Sequence, residues 1–206
     1  MQALFDFVQY NCDTYGIDES HGLKHAMGTV TWAERLMDGL SDISADERKL
    51  IIYAAALHDM CDSKYRDSYE VACTEIKIWL FTQGGWSNEL ADALVSIITT
   101  MSYSKLKRLA TGYPDHGQWQ RAYHIVRHAD LLEGYKVVRC YLYSIRRLPC
   151  ASEEELWLET EKIFNERVFK YVSDGWLFLP AALAYVPELE AEARRCLKER
   201  DATYVV

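Results

Sequence analysis

Proline and glycine are scarce in this chain of 206 residues, with four and ten respectively. So few breakers leave no room for a many-turned β architecture. CxxC pairs are absent: Cys12, Cys61, Cys73, Cys140, Cys150 and Cys196 are scattered, which excludes zinc-finger and dithiol redox motifs. Free thiols of this kind fit a reducing cytoplasm, and the first apolar stretch carries Asp6 with no basic segment before it, so no secretory signal is read there. Basic residues are outnumbered, 23 Lys and Arg against 31 Asp and Glu, for a net charge of −8. That excludes a broad footprint on a nucleic-acid polymer or an anionic membrane, while a local patch can still bind a small phosphorylated ligand. The longest apolar run, Trp176 to Val186, is interrupted by Pro180 and falls well short of the roughly 20 residues of a spanning helix.

Apolar residues are plentiful, half of the total, and recur at three- and four-residue spacing. The pattern predicts an all-α protein with helices at residues 2–14, 21–40, 45–58, 68–82, 88–103, 118–147, 153–173 and 188–200. Ser44 with Glu47, Asp67 with Glu70, and Ser152 with Glu155 each have the form of a capping box. No linker or repeat divides the chain, so 1–206 is expected to be one domain, and the apolar stretch Trp176 to Tyr185 makes a homodimer conceivable.

The helix at 45–58 holds the most informative residues. Leu50 to Leu57 is apolar all round, which predicts a helix buried on every side, and His58-Asp59 follows directly. A buried carboxylate beside an imidazole needs compensation, and a cation serves both. Neighbours on a helix point about 100° apart, so the pair can share one ion only where the helix ends. Five of the six histidines fall in three short segments: His21 and His25, then His58, then His124 and His128 with Asp130 close behind.

Those segments in that order resemble the HD-domain superfamily of metal-dependent phosphohydrolases. Ser20-His21-Gly22-Leu23-Lys24-His25 looks like the family's opening segment. Ala54 to Asp59, followed by Asp62, Ser63, Lys64 and Tyr65, is similar to a branch of small HD hydrolases, and His128-Ala129-Asp130-Leu131-Leu132 to the segment carrying the last ligand. The resemblance covers about residues 15–145, leaving 150–206 to pack on that core. It departs at His128, where related sequences often have an acidic residue. It implies an orthogonal helical bundle and one divalent metal ion on His25, His58, Asp59 and Asp130, with manganese, iron, magnesium, zinc, nickel and cobalt all admissible.

The expected activity is hydrolysis of a phosphoester or phosphoanhydride in a small phosphorylated substrate, a nucleotide by preference. Asp62 is the candidate to orient water, and Lys64 to neutralise phosphate. His21, Lys105, Lys107 and Arg108 are candidates for substrate binding, with Arg121, Arg127, Tyr103 and Tyr135 as possible additions. His124 and His128 read better as packed histidines than as ligands. The rival reading is a regulatory helical module in which the metal is structural. A ferritin-like di-iron centre is excluded, since no Glu-x-x-His pair is present.

Overall fold

In the computed structural model, which describes residues 1–108 and 112–202, the chain is all-α, with no strand among the described residues. The single-domain expectation for 1–206 also takes in 109–111 and 203–206, which lie outside them. The helices are α1 (Gln2–Tyr15), α2 (Leu23–Met37), α3 (Ala45–Leu57), α4 (Tyr69–Thr82), α5 (Asn88–Thr100), α6 (Tyr103–Leu106), α7 (Gln120–Glu133), α8 (Val137–Arg147), α9 (Glu153–Glu166), α10 (Pro180–Leu183) and α11 (Val186–Glu199).

Local chemistry sets most of the boundaries. Ser44, Ser87 and Ser152 accept backbone N–H bonds from Glu47, Leu90 and Glu155, and at Ser152 the Glu155 side chain completes a capping box. The cap of α4 is Ser68, which accepts from Val71 N–H, and not Asp67 as expected. The expected helix at 21–40 begins only at Leu23, because His21 N–H closes a turn on Asp18 O and Gly22 is extended. The expected helix at 118–147 is two: Gly134 N–H still reaches Asp130 O, but Tyr135 tightens onto Leu132 O and the chain turns into α8. Likewise the helix expected at 153–173 stops at Glu166, and Arg167 leaves helical geometry with φ −133° and ψ −65°.

Helices α2, α3 and α7 pack on one another at the centre, with α1 and α5 against them and α8, α9 and α11 forming a second group. Within α3, Leu50, Ile51 and Ala54 to Leu57 are buried, while Ile52 and Tyr53 are half-covered. One apolar core runs from Leu4 to Leu197. The Trp176 to Tyr185 stretch mostly joins it, leaving Phe178 as its exposed large side chain. No described helix is long and apolar enough to cross a membrane.

The α2–α7 contact is unusually close at Gly28. A Cβ there would lie 2.2 Å from Glu133 Oε1, and Glu133 is fully buried. Glu133 accepts a bond from Trp32 Nε1 at 3.1 Å and pairs with Lys136 at 2.8 Å. Gly28 lies three residues beyond His25 and Glu133 three beyond Asp130, so this contact holds the two helices together one turn from the site.

Candidate metal centre

Three mutually packed helices deliver four donors to one point. His25 lies in the first turn of α2, His58 caps the C-terminus of α3 with Asp59 just past it, and Asp130 lies near the end of α7. His25 Nε2 and His58 Nε2 are 3.0 Å apart. Asp59 Oδ2 stands 3.3 Å from the first and 3.1 Å from the second, and Asp130 Oδ1 stands at 3.4 and 3.5 Å. Donor atoms of His25, His58 and Asp130 all lie within 4.8 Å of one another, a group that could hold a metal ion. Asp59 adjoins it through the histidines.

The end of α3 explains the orientation of His58. The last carbonyls of a helix lack intrahelical partners, and the His58 ring nitrogen Nδ1 lies 2.9 Å from one of them, Ala55 O. A carbonyl only accepts, so Nδ1 carries a proton and Nε2 is the nitrogen turned toward the cluster, the orientation second-sphere partners give to ligating histidines. Asp59 Oδ2 and Asp130 Oδ1 are buried and have no hydrogen-bond partner. Buried carboxylate oxygens left this way fit a cation, which satisfies both.

Electrostatics point the same way. Burial alone would lower the His58 imidazole, but Asp59 and Asp130 outweigh it and raise it well above its ordinary value. Burial likewise opposes ionisation of the two carboxyls, yet His58 beside Asp59, and His25 and His58 beside Asp130, hold both well below the usual range. Arg139, from α8, stands 3.6 Å from Asp130 Oδ1 and donates through Nε to Ser20 O at 2.8 Å.

A cavity of about 560 Å³ opens over the cluster, walled by His58, Asp59 and Asp130 on one side and by α8 and α9 on the other. His25, fully buried, supports it from behind. His21 lines the cavity from the turn before α2 and is not stacked on His25 along one helix face. Its Nδ1 lies 2.7 Å from Ser20 Oγ and 3.0 Å from Tyr65 Oη. Both hydroxyls donate to Asp18, and Arg146 pairs with that carboxylate at 3.0 Å. Nδ1 therefore donates, Nε2 is left with a lone pair, and burial lowers the imidazole so that it stays neutral.

Asp62 and Lys64 line the mouth and hold each other: Oδ1 accepts the Lys64 N–H at 2.9 Å, and Oδ2 lies 3.2 Å from Nζ. Lys105 and Arg108 reach the cavity with Tyr103. Lys107 is not part of its wall and stands 5.9 Å from the Tyr103 ring centre.

No protein-family model, curated protein or solved structure matches this chain. What can be said of the site therefore comes from its own geometry.

Two arginines considered for the basic patch sit elsewhere: Arg121 pairs with Asp42 and Glu47, and Arg127 is buried over the Tyr113 ring. Tyr135 is buried and does not line the cavity. His124 and His128 are packed residues. Nδ1 of His128 donates to His124 O at 2.7 Å, and Nε2 accepts from Phe178 and Leu179 N–H at 3.0 and 3.2 Å. Burial and Arg127 push its imidazole down to about 3. Sequence reasoning missed Asp18, Tyr65, Arg139 and Arg146. Only the Asp18-x-Ser20 turn left a local trace; the others meet the site from distant positions.

Proposed function

We propose that this chain is a metal-dependent phosphohydrolase of the HD type, acting on a phosphoester or phosphoanhydride in a nucleotide-sized substrate. The observation that carries the reading is the convergence of His25, His58, Asp59 and Asp130 beneath a cavity, with two buried carboxylate oxygens that have no hydrogen-bond partner. The order of the three motif segments, which resembles the HD superfamily, supports it. So does a cavity within the roughly 300–1,000 Å³ of small-molecule sites.

Bound by those four residues, a divalent ion supplies Lewis acidity toward a phosphoryl oxygen and makes water a nucleophile near neutral pH. The chain supplies the rest. Ala55 O fixes the tautomer of His58, and Arg139 holds Asp130 in place. His21, neutral and with Nε2 unengaged, takes the proton that attacking water loses as the bond from phosphorus to the leaving group breaks. Lys64, Lys105 and Arg108 offset phosphate charge. Asp62 holds Lys64 at the mouth.

The test is turnover by metal-stripped protein, with and without added manganese, on a panel of nucleotides and a generic phosphoester, beside Asp59→Ala. Phosphate or pyrophosphate release that needs metal and vanishes in the variant is expected. Tight metal binding with no turnover on any substrate would overturn the hydrolase and leave a helical module with a structural metal.

A further inference from the structure

The C-terminal third, outside the segments that resemble the HD superfamily, builds the wall opposite the metal centre. The break of α9 at Arg167 turns this side chain into the cavity beside Arg139. Nε donates to Tyr171 Oη at 3.0 Å, and the guanidinium lies 4.2 Å over the Tyr103 ring, so its plane is fixed. On the wall Lys105 and Arg108 donate to the carbonyls of Thr99 and Ser104, whereas Lys64, Arg147 and Arg139 have carboxylate partners, Asp62 at 3.2 Å, Glu159 at 2.5 Å and Asp130 at 3.6 Å. Arg167 has none among the described residues, and neither Nη donates to an acceptor there. Burial and the like charge of Arg139 oppose ionisation of Arg167, but Tyr171 and Asp130 outweigh them and keep it charged. A half-buried guanidinium with both Nη groups presented to a cavity is matched to one ligand chemistry, an oxyanion bound through two parallel hydrogen bonds.

We propose that Arg167 binds a second anionic group of the substrate, a phosphate or carboxylate remote from the phosphoryl group that is cleaved. This rests on reading the cavity as a phosphate-ester site. The wall then favours phosphate esters that carry two separated anions, and Arg167 is the residue that sets the preference. Tyr103 and Tyr171 act through it, by holding the fork in place.

The test is calorimetric binding of non-hydrolysable probes to the manganese-loaded chain in excess manganese. Methylphosphonate carries one anion. Methylenebisphosphonate and phosphonoacetate carry two, and their propylene-linked homologues vary the span. At least one two-anion probe is expected to bind about tenfold tighter than methylphosphonate. Arg167→Gln removes that margin and leaves methylphosphonate unchanged; Arg167→Lys, which keeps the charge without the fork, restores part of it. A margin confined to bisphosphonates assigns a second phosphate, and one shared with phosphonocarboxylates admits a carboxylate. An equal margin in Arg167→Gln, or none in the wild type at any span, overturns the proposal. Should Arg167→Gln not fold, the wild-type margin and its reduction in Arg167→Lys decide. An Arg167-dependent margin without turnover of any phosphate ester would sink the hydrolase reading alone. Turnover of a one-anion ester with no margin would sink the subsite alone.

Discussion

Replacing Gly28 by alanine probes how the candidate metal centre is held together. In an ordinary helix interior the change stabilises by about 1 kcal/mol, because glycine has more backbone freedom to lose. Here the new Cβ would meet Glu133 Oε1 at 2.2 Å, Cδ at 2.3 Å and Oε2 at 2.6 Å. Glu133 has nowhere to retreat: it is fully buried and held by Trp32 and Lys136. Either its carboxylate leaves those partners, costing about 1.5–3 kcal/mol for a charged hydrogen bond, or α2 and α7 separate against an overpacking cost of about 1–3 kcal/mol. Net of the propensity gain, Gly28→Ala should destabilise by about 0.5–2 kcal/mol. For a chain of this length that lowers Tm by roughly 1–8 °C. Spreading the helices also draws His25 from Asp130 one turn away, so metal affinity falls with stability. Urea denaturation and metal titration read both. The control is a double-mutant cycle with Glu133→Ala, in whose background Gly28→Ala should cost nothing or stabilise. An increase in stability in the wild-type background, or an equal loss in both, would refute the argument.

Three further expectations concern the same centre. Arg139→Met, which frees Asp130 and Ser20 O, should weaken metal binding about 10–100-fold by titration with little change in fold; unchanged affinity would remove Arg139 from the site. In the metal-stripped protein the raised His58 imidazole keeps its proton while the unfolded chain loses it near 6.5. The stability it contributes is therefore complete below that pH and falls by about 1.4 kcal/mol per unit above it, up to the folded value. Denaturation curves that stay flat or improve from neutral to mildly alkaline pH would contradict this. His128→Leu should cost about 2–4 kcal/mol, because Phe178 and Leu179 N–H lose their acceptor, with metal affinity retained; loss of metal without loss of stability would make His128 a ligand after all.

Much of this was legible in the chain. Heptad-like spacing and scarce breakers determined the helices, and Ser44 and Ser152 marked their starts, since both signals are local. The all-apolar Leu50 to Leu57 with His58-Asp59 at its end announced a buried imidazole and carboxylate at a helix terminus, because charge placed there demands a partner. His128 read as packed because no Glu accompanies it and His124 as in a His-Glu-x-x-His metal helix. The breaks after Glu133 and Glu166 were not legible, since no proline marks either, and with them went the placement of Arg139 and Arg167. Tyr65 meets His21 across 44 residues and Arg146 reaches Asp18 from farther still, and Gly28 is significant only because Glu133 lies against it. Residue types and periodicity thus determined which groups the chain must bury. Only the packing of α2 on α7, and of α8 and α9 across the cavity, decided which of them meet, because contact between distant segments depends on helix spacing and no local pattern encodes it.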